Sequence, residues 1–193
     1  MPSRFNRPVS VARSARESPL IAFSIACGYA KLLLFPYLFY VELFTVAVFL
    51  SGLLAGPAWG VWIGAVARLI FSVANPYGPP HPWILVAQIL GAALVGGIGG
   101  LARPWLLYAP ETPRSAGARV PILLACGLVA TLLYDGLTNI AQGIAYRSFT
   151  VSIALGILPA VQHLASNLVI FALVGNFAVP WLRQHPMAAR RAG

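Results

Sequence analysis

Ionisable side chains are scarce in this sequence, and several of them lie inside long apolar segments. Charged residues make up 9% of the 193 residues, yet Glu42, Arg68 and Asp135 all fall in stretches long enough to cross a bilayer. A charged side chain at membrane depth is costly and commonly marks a binding site or a conduction path. These three positions therefore predict a polar site enclosed by membrane helices.

A polar stripe in residues 134–142 offers the most groups for such a site. Asp135, Asn139 and Gln142 follow one another close to i, i+4 and i+7, which places them on one face of a helix. A carboxylate and two amides suit a ligand with several donors and acceptors. The alternative is a structural clamp, in which Arg68 neutralises Asp135 while Lys31 pairs with Glu42.

Two further groups of polar residues lie beside apolar segments. Four prolines in residues 75–82 exclude a helix there, and this loop is either a stiff connection or a rigid rim over a ligand. His163 is either a hydrogen-bonded packing residue or a ligand contact. The candidate ligand-binding residues from these groups are Asn75, Tyr77 and His81 in the loop, Gln88 just after it, and His163 with Asn167 at i, i+4. Lys31, at the outer end of the first helix, is a further candidate for the site.

Motifs of catalysis and metal binding are missing from the sequence. It contains no GxSxG, HExxH or Walker A pattern, and its histidines and carboxylates do not follow ligand spacing such as HxxxH. We therefore expect a protein that is not an enzyme and that carries no cofactor and no metal.

The elements that position these residues are predicted to be membrane helices. Hydrophobic residues make up 59% of the chain and its mean hydropathy is +0.81, which indicates an all-α integral membrane protein, since the alternating pattern of a barrel is absent. We expect a basic tail at 1–18, a transmembrane domain at 19–182 and a second basic tail at 183–193. Six spans fit the required length of about 20 residues. They cover residues 19–35, 37–55, 58–74, 83–108 (ending or kinked near Leu101), 120–146 and 151–182 (with Pro159 and Pro180 as kinks or ends).

The distribution of arginines predicts how the helices are oriented. Six spans place both tails and the loops after the second and fourth helices on one side, and that side collects most of the basic residues. Both termini are therefore expected to be cytoplasmic, and the candidate residues then lie between the outer surface and the midplane, in an outward-facing pocket. The net charge of +9 is explained by topology, and no nucleic-acid binding is expected.

Small residues recur at intervals of four and predict close helix contacts. The glycines are expected to pack the bundle internally, whereas the alanine face on the first helix either packs internally or docks on a separate subunit. These positions are Ala22, Ala26 and Ala30 on the first helix, Gly52, Gly56, Gly60 and Gly64 across the turn between the second and third helices, and Gly96 and Gly100 on the fourth helix.

With these features the chain resembles the substrate-binding (S) components of energy-coupling factor (ECF) transporters, which are bacterial vitamin importers. The resemblance covers most of the sequence. It includes the alanine face, Gly56-Pro57-Ala58-Trp59-Gly60, the Pro-Gly loop, Gln88 to Gly91 leading into Gly96 to Gly100, Tyr134-Asp135 with Thr138-Asn139, and His163 with Ser166-Asn167.

The resemblance implies a function that the residues alone do not. An S component in the bacterial cytoplasmic membrane captures a vitamin or related micronutrient from outside, then docks on a transmembrane coupling subunit that carries two ATPases. The docking face maps to Ala22, Ala26 and Ala30. The chain begins Met1-Pro2, whereas S components for metal ions begin with a Met-His type N-terminus, which disfavours cobalt or nickel.

A second class of membrane protein shares these general features. Scaffolds of the rod-shape-determining type resemble S components in size, topology and polar-poor composition. In such a protein Asp135 and Arg68 would clamp helices, and the partners would be proteins.

Overall fold

The described part of the chain is helical throughout. The structure is a computed structural model that describes residues 11–34 and 42–189, and no strand occurs within those residues. Long apolar runs without polar alternation favour helices in lipid, because a helix satisfies its backbone hydrogen bonds internally. The predicted all-α class is confirmed.

Nine helices and one π-helical turn make up these residues. They are α1 (Val11–Leu34), α2 (Leu43–Ala55), α3 (Pro57–Val73), α4 (Pro82–Leu101), α5 (Arg103–Leu106), α6 (Pro113–Ala145), α7 (Phe149–Ile170), α8 (Asn176–Arg183) and α9 (Pro186–Ala189). The π-helical turn Phe171–Gly175 joins α7 to α8, so the two form one rod from Phe149 to Arg183.

Four of these helical stretches are long and apolar enough to cross a membrane. Within the described residues they are Glu17–Leu34, Pro82–Leu101, Ala116–Ala145 and Phe149–Arg183. The other two predicted spans appear as the apolar helices α2, of 13 residues, and α3, of 17 residues. Residues 37–41 of the predicted second span lie outside the described part of the chain. Large apolar side chains such as Leu155 and Phe177 are exposed, as a lipid-facing surface requires. The chain is a multi-pass membrane protein.

Several helix boundaries differ from the sequence prediction. α1 begins at Val11 instead of residue 19, and α6 begins at Pro113 instead of residue 120. Pro159 and Pro180, expected as kinks or ends, lie inside helices, so neither of them ends one. Membrane helices tolerate proline because neighbouring helices and local adjustments satisfy the freed backbone groups. The predicted ends at the Gly56-Pro57 turn and near Leu101 are confirmed.

α2 is the centre of the bundle. Every residue from Phe44 to Ala55 is buried, because α1, α3 and α4 pack around this helix and the π-helical turn also contacts it. The rings of Phe49 on α2 and Phe171 in the π-helical turn lie 5.0 Å apart. Because this short helix is buried along its length, it contacts the neighbouring helices and does not face lipid.

A seam of glycines joins α2, α3 and α4 by backbone contact. In this glycine seam a Cβ added to any member would meet backbone atoms of a neighbouring helix. Its members are Gly52, Gly60, Gly64, Gly96, Gly99 and Gly100. The prediction that the glycines pack the bundle internally is confirmed. Gly56 has a different role: its φ of 92° makes the tight turn between α2 and α3, a conformation that favours glycine.

The two ends of the bundle differ in chemistry. α3 ends and α4 begins across the loop 74–81, and α6 ends and α7 begins across residues 146–148, so these four helices share one end, which we call the polar end. At the opposite, basic end, Arg183 donates from Nε to the Leu106 carbonyl (2.8 Å) and from Nη1 to the Ala109 carbonyl (3.0 Å).

Candidate ligand-binding site

A cavity of about 300 Å³ opens near the polar end, between α3, α4, α6 and α7. Polar and aromatic side chains from all four helices, together with the residue before α2, form its wall. They are Glu42, Arg68, Gln88, Tyr134, Asp135, Thr138, Asn139, Gln142 and His163, with Ile84, Leu155, Gly156, Pro159 and Ala160 completing the lining. This volume lies at the lower end of the range for small-molecule pockets.

The α6 side of the cavity is the stripe predicted from the sequence. Asp135, Asn139 and Gln142 all line the cavity, together with Thr138, so the prediction that they share one face is confirmed. Asn139 donates from Nδ2 to the carbonyl of Asp135 (2.9 Å), which fixes its amide. Gly156 on α7 makes room for this amide, because a Cβ there would collide with Asn139 Oδ1.

His163 connects α7 to α6 through a hydrogen-bond network. Its Nδ1 lies 2.7 Å from Asp135 Oδ1, and its Nε2 lies 3.0 Å from Nδ2 of Asn167. Asn167 also donates from Nδ2 to Thr131 Oγ1 (2.9 Å). The network therefore ties His163 on α7 to Asp135 on α6 through Nδ1 and to Asn167 through Nε2.

Arg68 does not pair with Asp135, which contradicts that half of the alternative clamp. Its Cζ lies 5.4 Å from the ring centroids of Phe44 and of Tyr134 and 5.5 Å from that of Phe71, within the range of cation–π contact. The side chain is 93% buried, yet it makes no ion pair and no hydrogen bond with any described residue. Asp135 is satisfied by His163 instead, which leaves the guanidinium at the cavity wall available for another group.

Glu42 precedes α2 and faces the same cavity. Its Oε2 accepts a hydrogen bond from Thr45 (3.0 Å) and lies 3.9 Å from His163 Nε2, beyond hydrogen-bond distance. On α4, Gln88 accepts from Ser72 Oγ at 3.2 Å through Oε1. This hydrogen bond from α3 fixes the orientation of the Gln88 amide.

A second cavity of about 160 Å³ lies on the other side of Glu42 and Arg68. Both side chains line the two cavities and so form the partition between them. The remaining lining comes from α1, the start of α2, the end of α3 and the following loop. It consists of Gly28, Lys31, Leu32, Leu43, Phe44, Phe71 and Asn75.

Three predicted site residues lie outside both cavities. Tyr77 is 80% exposed in the loop, and His81 caps α4 by accepting a hydrogen bond from the Trp83 N–H (3.4 Å). Neither residue lines a cavity, and the loop turns at Gly78, whose N–H bonds the Asn75 carbonyl (2.9 Å). Asn167 is fully buried behind His163 and contacts the cavity only through it.

Other lining residues were not among the predicted site residues. Tyr134 is the most prominent, since its ring covers Arg68 and packs edge-on to His163 at a centroid distance of 6.1 Å. In the sequence it was noted only within the Tyr134-Asp135 motif of the resemblance. Gly91 allows this ring to approach α4, because a Cβ there would collide with it.

The alanine face of α1 points away from the bundle at two of its three positions. Ala22 and Ala26 are exposed and Ala30 is half-buried. The opposite side of α1 packs inward through Ser24 and Gly28, which are buried. An internal packing role for the whole alanine face is therefore excluded.

The site carries no cluster suited to a metal within residues 11–34 and 42–189, where no three His, Cys, Asp or Glu side chains come together. In comparisons with known proteins, no family model, no curated protein and no solved structure matches the chain.

Proposed function

We propose that this chain is the substrate-capturing membrane component of an importer, of the ECF S-component type, and that it binds a vitamin or related micronutrient. The observation that carries the proposal is the cavity of about 300 Å³, in which carboxylates, amides, a histidine and an unpaired guanidinium converge from separate helices. A pure scaffold needs its buried polar groups paired, because an unsatisfied charge inside a membrane protein is destabilising.

The orientation of the site supports capture from outside. Arg103, Arg119 and Arg183 lie at the basic end, and the positive-inside rule assigns that end to the cytoplasm. The cavity then faces the outer half of a six-span bundle with both termini inside. In this arrangement α2 and α3 act as its two short spans.

The exposed alanines of α1 support a docking step. A small-residue face allows the backbone of a partner helix to approach closely, and lipid supplies no competing hydrophobic force. Ala22 and Ala26 meet this requirement, since neither is covered by the bundle. The partner is a transmembrane coupling subunit that carries two ATPases.

The test is a thermal-unfolding screen of the purified protein in detergent against vitamins and their precursors. A ligand at a hundred times its dissociation constant stabilises by about 2.7 kcal/mol. For a chain of this size that corresponds to a rise in unfolding temperature of roughly 5–10 °C. Asn139→Ala should abolish the rise while the protein remains folded, and exposed Tyr77→Phe serves as the matched control. If no compound stabilises a folded, ligand-free protein, the scaffold class is favoured over capture.

A further inference from the structure

We infer that the ligand of this site is amphoteric, with a protonated nitrogen group in the larger cavity and an anionic oxygen group, such as a carboxylate, in the smaller one. This inference rests on the proposed capture function and adds to it the charge pattern of the substrate. It follows from the opposite electrostatic character of the two cavities on either side of Glu42 and Arg68.

The larger cavity presents two carboxylates to a ligand. Asp135 and Glu42 bring two carboxylates to its wall, and Asp135 Oδ1 lies 2.7 Å from His163 Nδ1. The side chains of Asp135 and Glu42 remain 17% and 28% exposed, so each presents oxygen to the cavity. These oxygens are hydrogen-bond acceptors that suit a protonated nitrogen of the ligand.

The smaller cavity has the opposite character. Lys31 and Arg68 both line it, against the single carboxylate of Glu42. Leu43 and Phe44, the first residues of α2, also belong to its wall, and the start of a helix carries a partial positive charge. Glu42 does not cap this helix with its side chain. These groups favour an anion.

Arg68 is the group that makes an anion necessary. A guanidinium has five donor hydrogens in one plane. The three aromatic rings around Arg68 do not offer these donors the oxygen acceptors that a carboxylate would. A buried charge without a hydrogen-bonding partner is costly. A carboxylate or phosphate at the partition would satisfy the guanidinium with two parallel hydrogen bonds, the geometry that arginine favours.

The volumes limit the size of such a ligand. Cavities of about 300 and 160 Å³ correspond to the space of about ten and five water molecules in the liquid. A ligand that extends through both has on the order of ten to fifteen non-hydrogen atoms.

The experiment separates ligands by charge before any is identified. Metabolites of a yeast extract are divided by ion exchange into amphoteric, cationic, anionic and neutral pools, and each pool is added to the purified full chain in detergent. The amphoteric pool should raise the unfolding temperature by several degrees, and the other three pools should not. With Arg68→Gln the rise should be lost. Arg147→Gln, at an exposed arginine on the same end of the bundle, should keep it.

The ligand-free variants give a second readout. Arg68→Gln removes an unpaired buried charge, so without ligand its unfolding temperature should equal or exceed that of the wild type. A fall of several degrees would make Arg68 a structural cation and overturn its assignment to the ligand.

The outcomes separate this inference from the proposed function. Stabilisation by the cationic, anionic or neutral pool alone would overturn the amphoteric ligand while supporting capture. Stabilisation of Arg68→Gln by the amphoteric pool, equal to that of the wild type, would overturn the anion site. If no pool stabilises the folded protein, both capture and the amphoteric ligand are refuted.

Discussion

Replacement of Gly96 by alanine tests the glycine seam directly. The nearest atoms to a Cβ at this position are the carbonyl oxygen, carbonyl carbon and Cα of Gly60 on α3, all of them backbone. Backbone in a packed helix cannot rotate aside as the end of a side chain can. The added methyl group must therefore separate α3 from α4.

The expected loss of stability is the difference between two effects. Overpacking costs about 1–3 kcal/mol. Alanine is more favourable than glycine inside a helix by about 0.5–1 kcal/mol. Since the obstacle is backbone, we expect the upper part of the first range and a net loss of about 1–2 kcal/mol. The unfolding temperature should then fall by about 2–8 °C.

The assay is thermal unfolding in detergent with a thiol-reactive fluorescent dye. Cys27 and Cys126 are free and half-buried, so the dye reports the opening of α1 and α6. The matched control is Gly136→Ala, where a Cβ meets nothing within 4 Å, and this variant should gain stability by about 0.5–1 kcal/mol. If Gly96→Ala unfolds at the wild-type temperature, α3 and α4 are not in backbone contact and the reasoning fails.

Three further outcomes follow from the hydrogen bonds and close contacts of the polar end. Asp135→Ala leaves the Nδ1 hydrogen of His163 without its acceptor and should cost about 1–3 kcal/mol in thermal unfolding, whereas Asp135→Asn should cost less because it keeps an oxygen there. Tyr29→Phe removes the bond from its hydroxyl to the carbonyl at the end of α3 (2.7 Å) and should cost about 0.5–1.5 kcal/mol, while Tyr77→Phe should change nothing. Gly156→Ala pushes aside the neighbouring amide on α6 and should weaken ligand-induced stabilisation at least tenfold in apparent dissociation constant; unchanged binding would contradict the role of that amide.

Local periodicity was sufficient to predict one face of the site. Asp135, Asn139 and Gln142 belong to one helix, and their shared direction depends only on helical geometry. The glycine spacing predicted close helix packing for the same reason. The polar stripe lies within a single helix, so no knowledge of how helices pair was required for it.

Contacts between helices could not be predicted in this way. Arg68 and Asp135 have opposite charge, which made a direct pair the alternative to a ligand site, but His163 reaches Asp135 from α7 and the ring of Tyr134 covers Arg68. These partners are distant in sequence and are chosen by packing. His81 illustrates a second limit: it precedes Pro82 at the start of α4, where a side chain that accepts a backbone hydrogen bond is used as a cap.

The separation of the glycine seam from the two cavities has a consequence for how such a protein can change. No residue of the seam lines either cavity, so side chains around the ligand can be replaced without disturbing the contacts that hold α2, α3 and α4 together. Substitutions on α6 and α7 can then change the shape and charge of the larger cavity while the bundle keeps its packing. For protein engineering, the seam is the part to leave unchanged and the cavity wall is the part to vary.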